Sequence, residues 1–381
     1  MNFIYHLPTK IIFGQPAAKA LVAELAELKA SRVLLVGDPG LVRLGMVAHF
    51  QAALLAAGLT VTLFSHVSTN PTTVSVEQAV KLAIADDVEA VIALGGGSPI
   101  DVAKAAAMLV TNGGSYADYQ WGGRPITKPS LPLLAIPTTA GTGSEVSKVA
   151  VIVDPANPFK KGVLSPHMFA RAAILDPELT LALPPQLTAA TGIDAFTHAL
   201  EAFVGRRANP YTDLLALEAL QVIWSTLPQV VAHGDDLAAR ARMLLASLWA
   251  GTAMDHAGLG LIHALSGPLT SSLHLHHGLA NAIITPYVLR FNLPQISPER
   301  LQTLKKVFGL NAAASDEPLV TAVTDFIAGL GLPVRLSQLE LSLAGIDWDA
   351  IAADTTRMVL LNNNPRPASV ADCCQLLTEL Q

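Results

Sequence analysis

The sequence predicts a parallel α/β domain followed by an all-helical one, and three observations carry that expectation. Between about residue 30 and residue 180, short apolar runs ending in Gly, Pro, Asp or Thr alternate with amphipathic stretches. Runs of that kind suit strands buried on both faces of a parallel sheet. Beyond residue 184 the runs stop and apolar residues recur at helical spacing, as in YTDLLALEALQVIWSTLPQVV. The 381 residues also exceed what one hydrophobic core ordinarily serves. The expected domains are therefore 1–183 (α/β) and 184–381 (helical), divided at the Pro pair 184 and 185.

In chain order, the expected strands are RVLLVGD (32–38), TVTLFS (60–65), EAVIALGGG (89–97) and LPLLAIPTT (131–139), with helical patterns between them. Ligands of such sheets bind at the carboxyl ends of the strands. In the second half, TAATGIDAFTHALEAFVG (188–205) and DDLAARARMLLASLWAGTAM (235–254) read as helices. The apolar, charge-free stretch Met243–Met254 falls well short of the roughly 20 residues that span a bilayer, so it reads as a core helix and no membrane partner is expected.

A net charge of −6 and a pI of about 6.0, without a Lys/Arg cluster, give no field for a polyanion, so nucleic acid is not an expected partner. The two cysteines, Cys373 and Cys374, are neighbours and provide no disulfide framework. With no export signal visible in MNFIYHLPTKIIFG, the expected location is the cytoplasm.

Two loops and one histidine-rich stretch carry the chemistry. After the strand AVIAL come Gly95, Gly96 and Gly97, then Ser98 as expected helix N-cap, Pro99 at the first helical position and Asp101 completing a capping box. Such a turn brings backbone N–H groups and a positive helix end against a pyrophosphate; a plain strand-to-helix turn is the alternative. IPTTAGTGSE (136–145) adds the Thr138, Thr139 and Thr142 hydroxyls in a second loop. Asp38 ends the first run, where a carboxylate accepts from an adenosine ribose and repels a 2′-phosphate, favouring NAD over NADP; Asp38-Pro39-Gly40 reads equally as a turn.

HALSGPLTSSLHLHHGLANA (263–282) places His263, His274, His276 and His277 among apolar residues. Asp194 and His198, four residues apart on one helix, share a face. One carboxylate with three imidazoles suits Fe(II), Zn, Mn or Ni; singly, each of these residues reads as a hydrogen-bonded core or helix residue.

These motifs together resemble the iron-containing (group III) alcohol dehydrogenases, the family of lactaldehyde reductase and 1,3-propanediol dehydrogenase. The resemblance runs nearly end to end, through GGGSPIDVAKA, IPTTAGTGSEVS, TAATGIDAFTHALEAF, GLGLIHAL, HHGLANAI and the closing NNNPRPASVADC. It implies a Rossmann-like domain and a helical domain in a dehydroquinate synthase-like architecture, with NAD(P) and one divalent metal, Fe2+ first and Zn2+ second, held between them. By motif, the metal ligands are Asp194, His198, His263 and His277. The dinucleotide contacts are Asp38, Gly95, Gly96, Gly97, Ser98, Asp101, Thr138, Thr139 and Thr142, with Ser147, Val151 and Lys160 following. The implied reaction is hydride transfer between NAD(P)(H) and a small aliphatic alcohol or aldehyde, in a homodimer or larger oligomer.

The chain departs from the family at Gly267, where HALSGPLT replaces a block with a second histidine, and at Asp255-His256 in MDHAGLG. His256, His274 and His276 are the candidates to supply the missing proton relay. Rival readings are a dehydroquinate synthase-like lyase, a glycerol dehydrogenase-like enzyme and a non-catalytic NAD or metal sensor.

Overall fold

The computed structural model describes residues 2–381, without the side chains of Trp121 and of residues 157–161. The chain divides into two compact units: His6–Ala182, and Leu183–Gln381 with the N-terminal segment that ends at Tyr5.

The first unit runs β1 (Lys10–Phe13), α1 (Ala17–Leu28), β2 (Arg32–Val36), α2 (Pro39–Arg43), α3 (Met46–Ala56), β3 (Thr60–Phe64), α4 (Thr73–Ala85), β4 (Ala90–Gly95), α5 (Gly97–Asn112), β5 (Leu133–Pro137), β6 (Val149–Asp154), β7 (Asn157–Leu164) and β8 (Ala172–Leu175). Six strands form a sheet in the order β1-β8-β5-β4-β2-β3, every pairing parallel. All six residues of β4 are buried, as a strand covered on both faces requires.

Alternate residues serve opposite cores. Leu34, Val36, Val91 and Ala93 join α4 and α5, while Val33, Leu35, Ile92 and Leu94 join α1 and α3. At about 1.5–3 kcal/mol per buried aliphatic side chain, a one-residue slip in register would be prohibitive. From β2 the chain proceeds to β3 on one side and then returns to place β4 on the other. The carboxyl ends of β2 and β4 therefore flank the point where winding reverses, the usual ligand position in such sheets.

The antiparallel hairpin β6–β7, outside the main sheet, was not among the expected strands. Its half-exposed alternation differs from the continuous apolar runs used to find the others. The buried Tyr116 anchors it, donating from Oη to the Ala150 carbonyl (2.6 Å) and accepting from the Val163 N–H (3.2 Å).

The second unit is helical: α6 (Pro185–Val204), α7 (Pro210–Ala232), α8 (Leu237–Ala257), α9 (Leu261–Leu273), α10 (His277–Asn292), α11 (Pro298–Val307), α12 (Glu317–Gly329), α13 (Trp348–Thr356) and α14 (Val370–Leu380). Nearly every residue of α6 from Thr188 onward is buried, because α7, α8 and α10 all pack against it. Phe196 of α6 meets Trp224, Phe308 and Phe326 in one aromatic cluster. By length and composition α7 could cross a bilayer, but it carries Asp213 and Glu218 and packs on α6 and α8.

The N-terminal segment ending at Tyr5 groups with the helical unit, whereas the sequence reading kept it with the α/β half. Aromatic contact decides this: Tyr5 stacks on His256 (centroids 4.4 Å apart) and packs on Tyr211 (4.9 Å).

Candidate functional site

In the α/β unit, β4 leads directly into α5 through the three glycines. Gly95 has φ +147°, and a Cβ there would lie 2.6 Å from Pro99 Cγ, so only glycine fits. Cβ atoms on Gly96 and Gly97 would lie 3.2 Å from Thr139 Oγ1 and 2.8 Å from Thr142 Cγ2. The two expected dinucleotide loops are thus packed on each other, and Thr138 N–H donates to the Gly95 carbonyl (3.0 Å).

The expected helix start is corrected. Gly96 is the N-cap and Gly97 the first helical residue, so Ser98 and Pro99 lie inside the first turn. Ser98 Oγ instead donates to the Thr69 carbonyl (2.7 Å). Asp101 forms no capping box: its carboxylate accepts from Ser144 Oγ (2.6 Å) and from the Val151 N–H (2.9 Å), tying the second loop and β6 to α5. Burial raises the Asp101 pKa against the pull of Lys104, Ser144 and Val151. Asp38 caps α2, accepting from the Leu41 N–H (3.0 Å) at the end of β2. The Lys160 side chain lies outside the described residues.

Sequence reasoning gave no role to Lys104 or Glu145. Lys104, 1% exposed, donates to Ser144 Oγ (3.1 Å), Ser147 Oγ (3.1 Å) and the Val149 carbonyl (2.8 Å), engaging all three ammonium protons in holding the second loop. Burial pushes the neighbouring Glu145 carboxyl up to about 7, against its own N–H and Lys104.

In the helical unit the four expected metal ligands converge. Asp194 and His198 project one turn apart from α6, His263 comes from the first turn of α9 and His277 opens α10. Asp194 Oδ1 lies 3.6 Å from His198 Nε2, 3.6 Å from His263 Nε2 and 3.7 Å from His277 Nε2. Donor atoms of Asp194, His263 and His277 all fall within 4.8 Å of one another, and the His198 ring stacks on that of His263 at 4.7 Å. An ion with four bonds of about 2.0–2.2 Å holds its donors roughly 3.3–3.6 Å apart, so both the spacing and the one-carboxylate, three-imidazole set fit a divalent transition ion.

Burial works against ionisation of Asp194, but the charges of the His198, His277 and His263 imidazoles around it outweigh burial and hold the carboxyl well below its ordinary range. His263 is pushed up to about 9: burial opposes its charge, yet the Asp194 and Glu201 carboxylates favour it more. A cation held here would take the Nε2 position, leaving the Nδ1 proton hydrogen-bonded to Glu201. Three ligands are buried, and the His277 side chain is 40% exposed, so the cluster opens on the His277 side.

Two more residues here were missed. Glu201 accepts from His263 Nδ1 (2.7 Å) and from the Ile262 N–H (2.6 Å). Asn281 donates to Asp194 Oδ1 (2.8 Å), with its nitrogen 3.3 Å from His263 Nε2 and 3.4 Å from His277 Nε2. Their signal was spacing: Glu201 lies seven residues after Asp194 and Asn281 four after His277, each on the ligands' helix face.

Of the relay candidates, His256 stacks under Tyr5 and its Nδ1 meets the Thr252 carbonyl (2.8 Å). His274 is exposed, in left-handed conformation after α9, and His276 is the N-cap of α10, beside His277. Gly267 is buried in α9, one turn from His263, where a Cβ would meet only Met358 Cε at 3.6 Å.

Comparison with known proteins matches residues 8–177 to the iron-containing alcohol dehydrogenase model and 188–380 to the C-terminal model of the Fe-containing alcohol dehydrogenase family. The chain belongs to this iron-containing alcohol dehydrogenase family. It is an oxidoreductase acting between alcohols and aldehydes, which sets aside the lyase and sensor readings. The sulfoacetaldehyde reductase of Bilophila wadsworthia is 36% identical over 97% of this chain and 96% of its own. The NAD-dependent methanol dehydrogenase of Bacillus methanolicus is 35% identical over 98% of each. The crystal structure of a 1,3-propanediol oxidoreductase superposes with a TM-score of 0.94 at 32% identity, covering 100% of both chains.

Proposed function

We propose that the enzyme interconverts a small aliphatic aldehyde and its alcohol, using NAD and one divalent ion, Fe2+ in preference to Zn2+, held by Asp194, His198, His263 and His277. The observation that carries this reading is the convergence of one carboxylate oxygen and three imidazole nitrogens at 3.6–3.7 Å. When bound, the ion acts as a Lewis acid on the substrate oxygen and NAD carries the hydride.

The chain's own residues bind and orient. The imidazoles around Asp194 hold its carboxyl well below the usual carboxylate range, favouring the ionised form a ligand needs. The Gly95–Gly97 turn and the first N–H groups of α5 face the pyrophosphate, with Ser98, Thr138, Thr139 and Thr142 lining the cradle. Asp38 receives the ribose hydroxyls, which favours NAD over NADP. Asp101 and Ser147 act by holding the second loop, and the Val151 N–H, donating to Asp101, ties the hairpin to it. His276, next to a ligand, is the foremost proton relay, ahead of His274 and of His256, which is engaged with Tyr5 and Thr252.

The activities these relatives are named for span a sulfonated aldehyde and a one-carbon alcohol, and Gly267 leaves room beside His263 for a longer or more polar aldehyde. We assign the working form to a homodimer or larger oligomer in the cytoplasm. The test is NADH oxidation with a panel of short, hydroxylated and sulfonated aldehydes after loading with Fe2+ or Zn2+. Turnover is expected with several members, lost in Asp194→Ala together with bound metal, and restricted to fewer aldehydes in Gly267→His. Metal binding by Asp194→Ala at the wild-type level would refute the site.

A further inference from the structure

We infer that Glu201 is the positioning residue of the metal centre: by capping α9 and fixing the tautomer of His263, it aims the Nε2 lone pair of that ligand at the ion. The inference rests on the four-ligand reading above and concerns a residue outside that set.

Helix α9 begins without a local cap. Its N-cap is Gly260, and no side chain at that position bonds the first turn. The orphan N–H groups go to side chains from distant parts of the chain: Leu261 N–H to Asn364 Oδ1 (3.0 Å) and Ile262 N–H to Glu201 Oε1 (2.6 Å). A Cβ on residue 260 would lie 2.8 Å from Asn364 Oδ1 and 3.1 Å from Glu201 Oε1, so the glycine clears space for these remote caps. Asn364 comes from the NNNPRP ending, which the dehydrogenase reading left without a task, and is held by Asn292 through two hydrogen bonds between their side-chain amides (2.7 and 3.1 Å).

The second oxygen of Glu201 does a separate job. It accepts from His263 Nδ1 at 2.7 Å, and a carboxylate can only accept, so Nδ1 carries the proton. In the neutral imidazole Nε2 is then the lone-pair atom, and it is the atom that faces Asp194 Oδ1 at 3.6 Å. Glu201 is 3% exposed and sits on α6 with Asp194 and His198, so a single helix supplies two ligands and the orienting carboxylate of a third. One buried side chain thereby couples the start of α9 to the direction of its ligand.

Glu201→Gln is the discriminating change because it keeps shape and removes one acceptor. With the amide oxygen on Ile262 N–H, the NH2 faces Nδ1 and drives the ring proton to Nε2, abolishing the ligand lone pair; the flipped amide sets two donors together at Ile262 instead. Full-length protein stripped by a chelator is titrated with Zn2+ against a chromophoric competitor, with NADH affinity and circular dichroism recorded on the same samples. Glu201→Gln should bind Zn2+ about 10–100-fold more weakly, with NADH affinity unchanged. Asn364→Ala, which loosens the same helix start without touching the tautomer, should lower the melting temperature but leave Zn2+ affinity near wild type.

Wild-type Zn2+ affinity in Glu201→Gln, or an equal loss in Asn364→Ala, overturns the inference while the metal site stands. Wild-type affinity in His263→Ala overturns the site itself. Should Glu201→Gln fail to fold, nitrogen-15 histidine spectra of the zinc-loaded wild type decide: a protonated Nδ1 on His263, its proton far downfield and protected from solvent, supports the inference, and zinc on Nδ1 refutes it.

Discussion

Glu145 sits where burial keeps its carboxyl protonated up to about pH 7, from an ordinary value of 4.5. Between those values the folded chain retains a proton that the unfolded chain releases. Its contribution to stability is therefore greatest below the ordinary value and falls as pH rises through about 7. The loss at alkaline pH is on the order of 3 kcal/mol. Glu145→Gln should remove this dependence: between about pH 5 and about pH 8 the wild-type melting temperature should drop relative to the variant. Parallel curves for the two proteins would show that Glu145 is ionised at neutral pH, with Lys104 winning over burial. Glu145 belongs to the GTGSEVS block, yet its position in sequence carries no sign that the side chain is buried beside an ammonium whose three protons are already engaged.

The β4–α5 junction and the loop after β5 behave as one unit. Thr139 and Thr142 occupy the space that side chains on Gly96 and Gly97 would need, and Asp101 and Lys104 of α5 hold the far end of the same loop. The glycines therefore serve the packing of loop on loop, in addition to the approach of the pyrophosphate proposed for them. Gly97→Val should force Thr142 outward and weaken NADH binding at least tenfold, about 1.4 kcal/mol, while metal content stays at the wild-type level. Unchanged NADH affinity would mean that the loop relaxes without disturbing the cradle. The strand and the glycine turn were legible in AVIALGGG because apolar continuity and glycine carry local meaning. The helix start was not: Ser98 is a good N-cap type, but the Thr69 carbonyl competes for its hydroxyl and two glycines begin the helix first.

The two proposed sets of functional residues lie in different compact units, the proposed dinucleotide cradle within His6–Ala182 and the proposed metal ligands within Leu183–Gln381. Removing the metal should accordingly abolish turnover and leave NADH affinity intact. It should also destabilise the helical unit, because the ligands join α6, α9 and α10; at a free-ion concentration of a thousand times Kd the bound ion contributes about 4 kcal/mol. A fall in NADH affinity on chelation, or an unmoved melting temperature, would contradict this separation.

Periodicity alone, read along the chain, specified the parallel α/β half and the helical half, since burial on two faces and burial on one stripe leave different apolar patterns. Residue chemistry and the family resemblance then singled out Asp194, His198, His263 and His277. Distance in space could not be read that way. That one carboxylate oxygen stands 3.6–3.7 Å from three imidazoles was settled by the packing of α6 against α10 and the placement of α9. The same packing brought Glu201 and Asn364 to a helix start 61 and 103 residues away, where they meet the backbone of α9. Capping by remote side chains has no local pattern, because its geometry exists only once the helices are assembled.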